Sequence, residues 1–226
     1  MTLQLAFDLP PLAALRRADF FRSAANAAAL AAIEGWQGWP EGKLVLIGPD
    51  GAGKTHLAHI WADLTGAEFV PAPALAAADL PGLAATGAVV VEDAADLAGD
   101  RAAETALFHL HNLLRMAGGR LLLTARTPPA HWGLILPDLQ SRIEAAALAR
   151  LDPPDDALLS AVLVKLFADR QIAVPPALIP YLLSRMDRSF AAAGDLVATL
   201  DARALARRVP VTRALAAEVL DSAAAG

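Results

Sequence analysis

One stretch constrains this chain more than any other. In "KLVLIGPDGAGKTH", Lys43 to His56, a short apolar run opens straight into a glycine-rich loop that closes on Gly53, Lys54 and Thr55. The spacing G-x-x-x-x-G-K-[ST] is met by Gly48, Gly53, Lys54 and Thr55. Glycines let the backbone curl until several N–H groups face one set of phosphate oxygens, and a helix that follows adds its positive N-terminal end. Lys54 would reach the β and γ phosphates, and the Thr55 hydroxyl would hold Mg²⁺. The candidate nucleotide-binding residues are therefore Gly48, Asp50, Gly51, Ala52, Gly53, Lys54, Thr55 and His56.

Such a loop needs a strand before it and a helix after it, and the pattern along the chain supplies both. "KLVLIG" reads as a strand, and a helix runs from about Lys54 to Thr65 with Gly66 as its stop. "EFVPA", "GAVVVED" and "RLLLTA" are further short apolar strands, as expected of parallel strands buried on both faces. "AAETALFHLHNLLRMAGG" has helical spacing and a glycine stop, and residues 23–34 form an Ala-rich helix. Strands alternating with helices imply a parallel sheet covered by helices. The pattern changes at "LDPPDD". Beyond it only helices are predicted, over about 155–170, 176–186, 190–207 and 212–222, the first capped by Asp155 or Asp156. Residues 1–18, broken by a Pro pair, read as a tail.

Phosphate chemistry on this scaffold needs an acidic residue at the end of a second strand. "VVVED" supplies two, and either could face the ion: we assign Glu92 to the metal beside Thr55, and Asp93 to the chemistry. Thr124 ends a third strand, where a hydroxyl could orient a water or touch the γ-phosphate. His109 and His111 are two apart on a predicted helix and so face different ways, which is poor geometry for a metal. Trp36 and Trp39 are expected to pack a loop on the core.

Composition narrows the classes. Cysteine is absent, which excludes disulfides and thiolate metal sites and fits a reducing cytoplasm. No apolar stretch is long enough to span a membrane, and no signal peptide is evident. The net charge of −5 argues against a broad basic surface for nucleic acid. Arg203, Arg207, Arg208 and Arg213 cluster near the C-terminus and read as a solvated helix end.

The order of motifs resembles the AAA+ module of the bacterial replication initiator DnaA over roughly residues 18–222. It is carried by "LVLIGPDGAGKTHLAHIWAD", "VVVEDAADL", "LLLTARTPPAHW" and "SRIE" leading to "DPPDD". The resemblance implies an α/β fold, a P-loop AAA+ parallel sheet flanked by helices (19–152), followed by a small all-α lid domain (153–226). It also places "DFFRSAAN" as the adenine loop, with Phe20 and Phe21 against the base. No helix-turn-helix follows the lid, so direct sequence-specific DNA binding is not expected. Gln4, Leu5, Phe7 and Leu9, in "QLAFDLP", are similar to the short peptide that docks proteins into the sliding clamp.

Together these features resemble the Hda family of initiator regulators. The resemblance implies a cytoplasmic partner of DnaA and of the clamp, holding ADP or ATP with Mg²⁺. It would promote hydrolysis of the initiator's ATP through Arg142, a finger acting in trans, and so prevent over-initiation; a homo-oligomer is also compatible. Three positions depart from the pattern. Gly194 stands where the lid's sensing arginine falls, Glu92 replaces an Asp, and Arg126 replaces an acid. They argue against vigorous turnover by the chain itself. The alternative is an independent AAA+ ATPase acting in DNA or protein remodelling.

Overall fold

A computed structural model describes residues 21–224. Gln4, Leu5, Phe7, Leu9 and Phe20 lie outside the described residues, as does the expected tail. The core is a five-stranded sheet in the order β2-β3-β4-β1-β5. Its strands are β1 (Lys43–Ile47), β2 (Glu68–Pro71), β3 (Ala88–Glu92), β4 (Arg120–Ala125) and β5 (Ala147–Arg150). All four pairings are parallel. Parallel neighbours need crossovers. These carry helices α2 (Lys54–Thr65), α3 (Leu80–Ala85), α4 (Arg101–Met116) and α5 (Pro137–Glu144), while α1 (Ala27–Glu34) precedes the sheet.

The strands alternate their side chains between two buried layers. Val45, Ile47, Val89, Val91, Leu121 and Leu123 point into one, which they share with Leu107, Leu110 and Leu114 of α4. Leu44, Leu46, Val90 and Leu122 point into the other, with Leu57, Ile60 and Trp61 of α2. Trp39 belongs to this second layer and stacks on Trp61 at 5.1 Å between centroids, the packing role expected for the tryptophan loop. Each such Val or Leu contributes about 1.5–3 kcal/mol of burial, so the sheet is the thermodynamic centre of the chain.

After β5 the chain is helical: α6 (Asp156–Asp169), α7 (Leu178–Leu183), α8 (Phe190–Arg207) and α9 (Arg213–Ala224). They enclose a separate apolar cluster that includes Leu163, Phe167, Leu182, Val197 and Leu200. Asp155 is the residue that caps α6, its carboxylate accepting the Leu158 N–H at 2.8 Å. Two helices are shorter than their sequence patterns suggest. The first begins at Ala27, because residues 23–26 form a turn in which Asn26 accepts the Ser23 N–H and donates to the Phe21 carbonyl. The α7 helix covers only Leu178–Leu183, since Pro175 and Pro176 precede it and Pro180 offers no donor. Three elements, α3, α5 and the edge strand β5, have no clear pattern in the sequence.

Candidate nucleotide-binding site

The register of the sheet brings its functional ends together. Ile47 lies opposite Ala125, and Val91 opposite Leu123. The residues that follow β1, β3 and β4 therefore emerge side by side at the C-terminal edge, where open parallel sheets bind ligands. The loop after β1 turns on Gly51 (φ +69°) and Gly53 (φ +98°), left-handed conformations that side chains disfavour. Gly53 then leads into α2, whose first residue is Lys54. A cavity of about 310 Å³ opens here, lined by Asp50, Gly51, Gly53, Lys54, Thr55, His56 and Asp93, with Phe190 from α8.

Lys54 is 8% exposed. Its ammonium donates to the carbonyls of Gly48 (2.9 Å) and Pro49 (3.1 Å), folded back along the inside of the loop. Burial pushes its pKa below the ordinary lysine value, while the charges of Asp50 and Asp93 hold it up. A desolvated ammonium gains strongly from an anion brought beside it. Ala52 is buried in the second core layer, so it contributes its backbone to the loop and its methyl group to the sheet packing.

The Thr55 hydroxyl donates to Glu92 Oε1 at 2.9 Å. A hydroxyl and a carboxylate oxygen so close are hard donors suited to Mg²⁺, so the residues present fit the ion. Asp93 follows in a left-handed conformation (φ +50°) and lines the cavity. Thr124 lies near the end of β4, as its position in the sequence implies. It is 2% exposed, and its hydroxyl accepts the Asp93 N–H at 3.0 Å. The β4 hydroxyl thus holds the strained turn after β3, and it is absent from the cavity lining. Its observed contact is with the backbone of Asp93.

The helical region closes onto the loop through the start of α8. The Phe190 N–H donates to the Gly51 carbonyl at 3.0 Å. A Cβ on Gly51 would lie 2.4 Å from that of Ser189, and one on Gly53 would lie 3.0 Å from the Phe190 ring. Nothing in the sequence pattern marks Ser189 or Phe190 as site residues. The only local signal is the Ser189 cap, whose hydroxyl accepts the Ala192 N–H.

Phe21 is exposed and does not line the cavity. Arg142 is also away from it. It sits in the last turn of α5, its guanidinium 5.2 Å from the centre of the Phe108 ring on α4. Its carbonyl accepts from Lys43 at 2.8 Å, and Lys43 is the first residue of β1. The phosphate loop lies at the other end of that strand, about 13–17 Å away. Glu104 was missed by sequence reasoning. Fully buried on α4, its carboxylate accepts the N–H groups of Gly99, Ile135 and Leu136, so it anchors the segment that leads into α5. A Glu in a helical repeat otherwise signals a solvated face, so spacing alone could not single it out.

The sheet order and the loop at its C-terminal edge define a nucleotide-binding fold of the AAA+ class. No family model matches the chain. It is 25% identical over 136 residues to the chromosomal replication initiator protein DnaA of Thermomicrobium roseum; the match covers 58% of this chain and 28% of that protein. The crystal structure of domain III of the Thermotoga maritima DnaA superposes with a TM-score of 0.79 at 18% identity, covering 95% of this chain and 98% of that one. A DnaA bound to AMPPCP and single-stranded DNA gives a TM-score of 0.70 at 18% identity, over 86% of this chain and 66% of that one. A Thermotoga maritima RuvB variant gives 0.64 at 17% identity, over 88% and 68%. The chain thus shares the AAA+ fold of these structures and is similar in sequence to part of a DnaA, of whose length it spans little more than a quarter. No helix among the described residues is long and apolar enough to cross a membrane.

Proposed function

We propose that this protein is a regulator of the Hda type. It binds ADP or ATP with Mg²⁺ at the loop after β1, docks on the sliding clamp through Gln4, Leu5, Phe7 and Leu9, and promotes ATP hydrolysis by DnaA. The observation that carries this reading is the separation of Arg142 from its own cavity. A guanidinium outside the cavity lining, on a helix whose last turn bonds the first residue of β1, is placed to act on a nucleotide in a neighbouring molecule. An arginine supplied in trans can accelerate phosphoryl transfer by about 10³–10⁵-fold.

In this reading the backbone N–H groups of the loop and Lys54 bind the phosphates. Thr55 and Glu92 hold Mg²⁺, which neutralises phosphate charge when bound. Asp93, kept in place by Thr124, orients a water. Phe20 and Phe21 lie against the base. The nucleotide serves mainly as a ligand that ties α8 to the sheet. Arg142→Ala should leave clamp and nucleotide binding intact yet abolish stimulation of hydrolysis by ATP-loaded DnaA on clamp and DNA. Unchanged stimulation would remove the finger from the account.

The pairing of Thr55 with Glu92 and the cavity-lining Asp93 also favour a second reading, an independent AAA+ ATPase in DNA or protein remodelling. Turnover by the purified protein approaching 1 s⁻¹ without DnaA or clamp, the low end of ordinary kcat values, would favour that alternative.

A further inference from the structure

Arg126 follows the last residue of β4. The Ala125 carbonyl accepts the Gly48 N–H at 3.2 Å, so Arg126 leaves the sheet beside the first residue of the phosphate loop. Its Nε lies 2.9 Å from Asp50 Oδ1 in an ion pair, and both side chains are largely exposed. Asp50 is the acidic residue within the loop itself and lines the cavity. A carboxylate there repels a polyphosphate unless a cation compensates it. Among the described residues lining the cavity, Lys54 is the one permanent cation. The first turn of α8, which closes on the loop, reads "FAAAG" and brings none. Arg126 lies near enough for its charge to lower the proton affinity of Lys54, against the opposing pull of Asp50 and Asp93.

We propose that Arg126 is a second phosphate-binding cation, acting in cis on the nucleotide held by this chain. In the structure it neutralises Asp50. With a di- or triphosphate in the loop it exchanges that carboxylate for a phosphate oxygen. An exposed ion pair is weakly held and so easily exchanged, and a guanidinium accepts phosphate in the same forked geometry as carboxylate. The charge needed at the mouth of the site thus comes from the end of β4, where α8 offers only backbone and an aromatic ring. This inference rests on the nucleotide-binding part of the reading above and is independent of DnaA and the clamp.

The test is equilibrium titration of the full chain, with Mg²⁺, by a fluorescent non-hydrolysable ATP analogue and by fluorescent AMP. The variants are Arg126→Gln, Asp50→Asn and the double substitution. Both positions are exposed, and circular dichroism checks that each variant folds. Arg126→Gln should weaken the triphosphate analogue by about tenfold and AMP by less than about twofold, a charge-assisted contact being lost only to the outer phosphates. The same loss should persist when Arg126→Gln is made in the Asp50→Asn background. A loss that vanishes in that background would reduce Arg126 to a neutraliser of Asp50 and overturn the proposal. So would equal affinity of Arg126→Gln and the wild type, leaving the nucleotide-binding reading in place. A wild type that binds neither nucleotide would overturn both.

Discussion

Lys43 carries a charge where charge is costly. It is 1% exposed, and its ammonium is kept by two acceptors, Glu41 Oε2 and the Arg142 carbonyl, each at 2.8 Å. The bond to Lys43 holds Glu41 below the usual carboxylate range. Replacing Lys43 with Met keeps the volume and removes the donor, leaving the α5 carbonyl unsatisfied. We expect a loss of about 1–3 kcal/mol in chemical denaturation. On the proposed function, stimulation of DnaA should also weaken, because the end of α5 that carries Arg142 is loosened. His111 shares this neighbourhood. Burial first, and then the charge of Lys43, lower its pKa from 6.5 to about 4, against smaller upward pulls from Asn112 and Glu41 and with a further lowering from Arg142. The unfolded chain therefore takes up a proton between about pH 6.5 and 4 that the folded chain refuses. The stability associated with neutral His111 is complete above that window and lost as pH falls through it, by up to about 3 kcal/mol. His111→Leu should flatten that part of the denaturation-versus-pH profile; an unchanged slope would show that other groups produce it.

At the scale of elements, two junctions decide how the site is built. The first is the contact of α8 with the phosphate loop. Gly51→Ala combines a disfavoured left-handed backbone with a collision against Ser189, so we expect the start of α8 to be displaced. Faster hydrogen exchange at the Phe190 N–H is the measurement that checks this. The second is Glu104, which joins α4 to the segment before α5. Glu104→Ala leaves several buried N–H groups without an acceptor and should cost on the order of 3–5 kcal/mol.

Neither junction was legible in the sequence, because each depends on residues far apart in the chain. What was legible had a local cause. The runs KLVLI, AVVVE and RLLLTA have the density of apolar residues that burial on both faces demands, and the loop spacing carries its own geometry. Helices α3 and α5 and strand β5 carry no such signal: "LPGLAA" is short and holds Pro and Gly, "PDLQSRIE" is short and polar, and "ALAR" lacks β-branched residues. The contact that Thr124 makes has the same origin. Strand position placed it at the right end of the sheet, but only the turn of Asp93 decided which way its hydroxyl is used.

For the whole molecule, the sheet and the helical region have separate apolar clusters, and a phosphate loop lies where they meet. A ligand that touches both sides stabilises their arrangement as well as each part. At about 100 times its Kd, a nucleotide adds about 2.7 kcal/mol to the folded state. On the proposed function, association with DnaA would depend on a body whose shape the nucleotide sets, with Arg142 carried on the sheet side and its carbonyl fixed to Lys43 of β1. That dependence begins with one event, the gripping of phosphates by the loop and Lys54. The most direct measurement is thermal denaturation of the purified chain with and without saturating ADP and Mg²⁺, for the wild type and for Lys54→Ala. A clear rise in Tm is expected for the wild type and none for the variant. No rise in the wild type, or an equal rise in both, would contradict it.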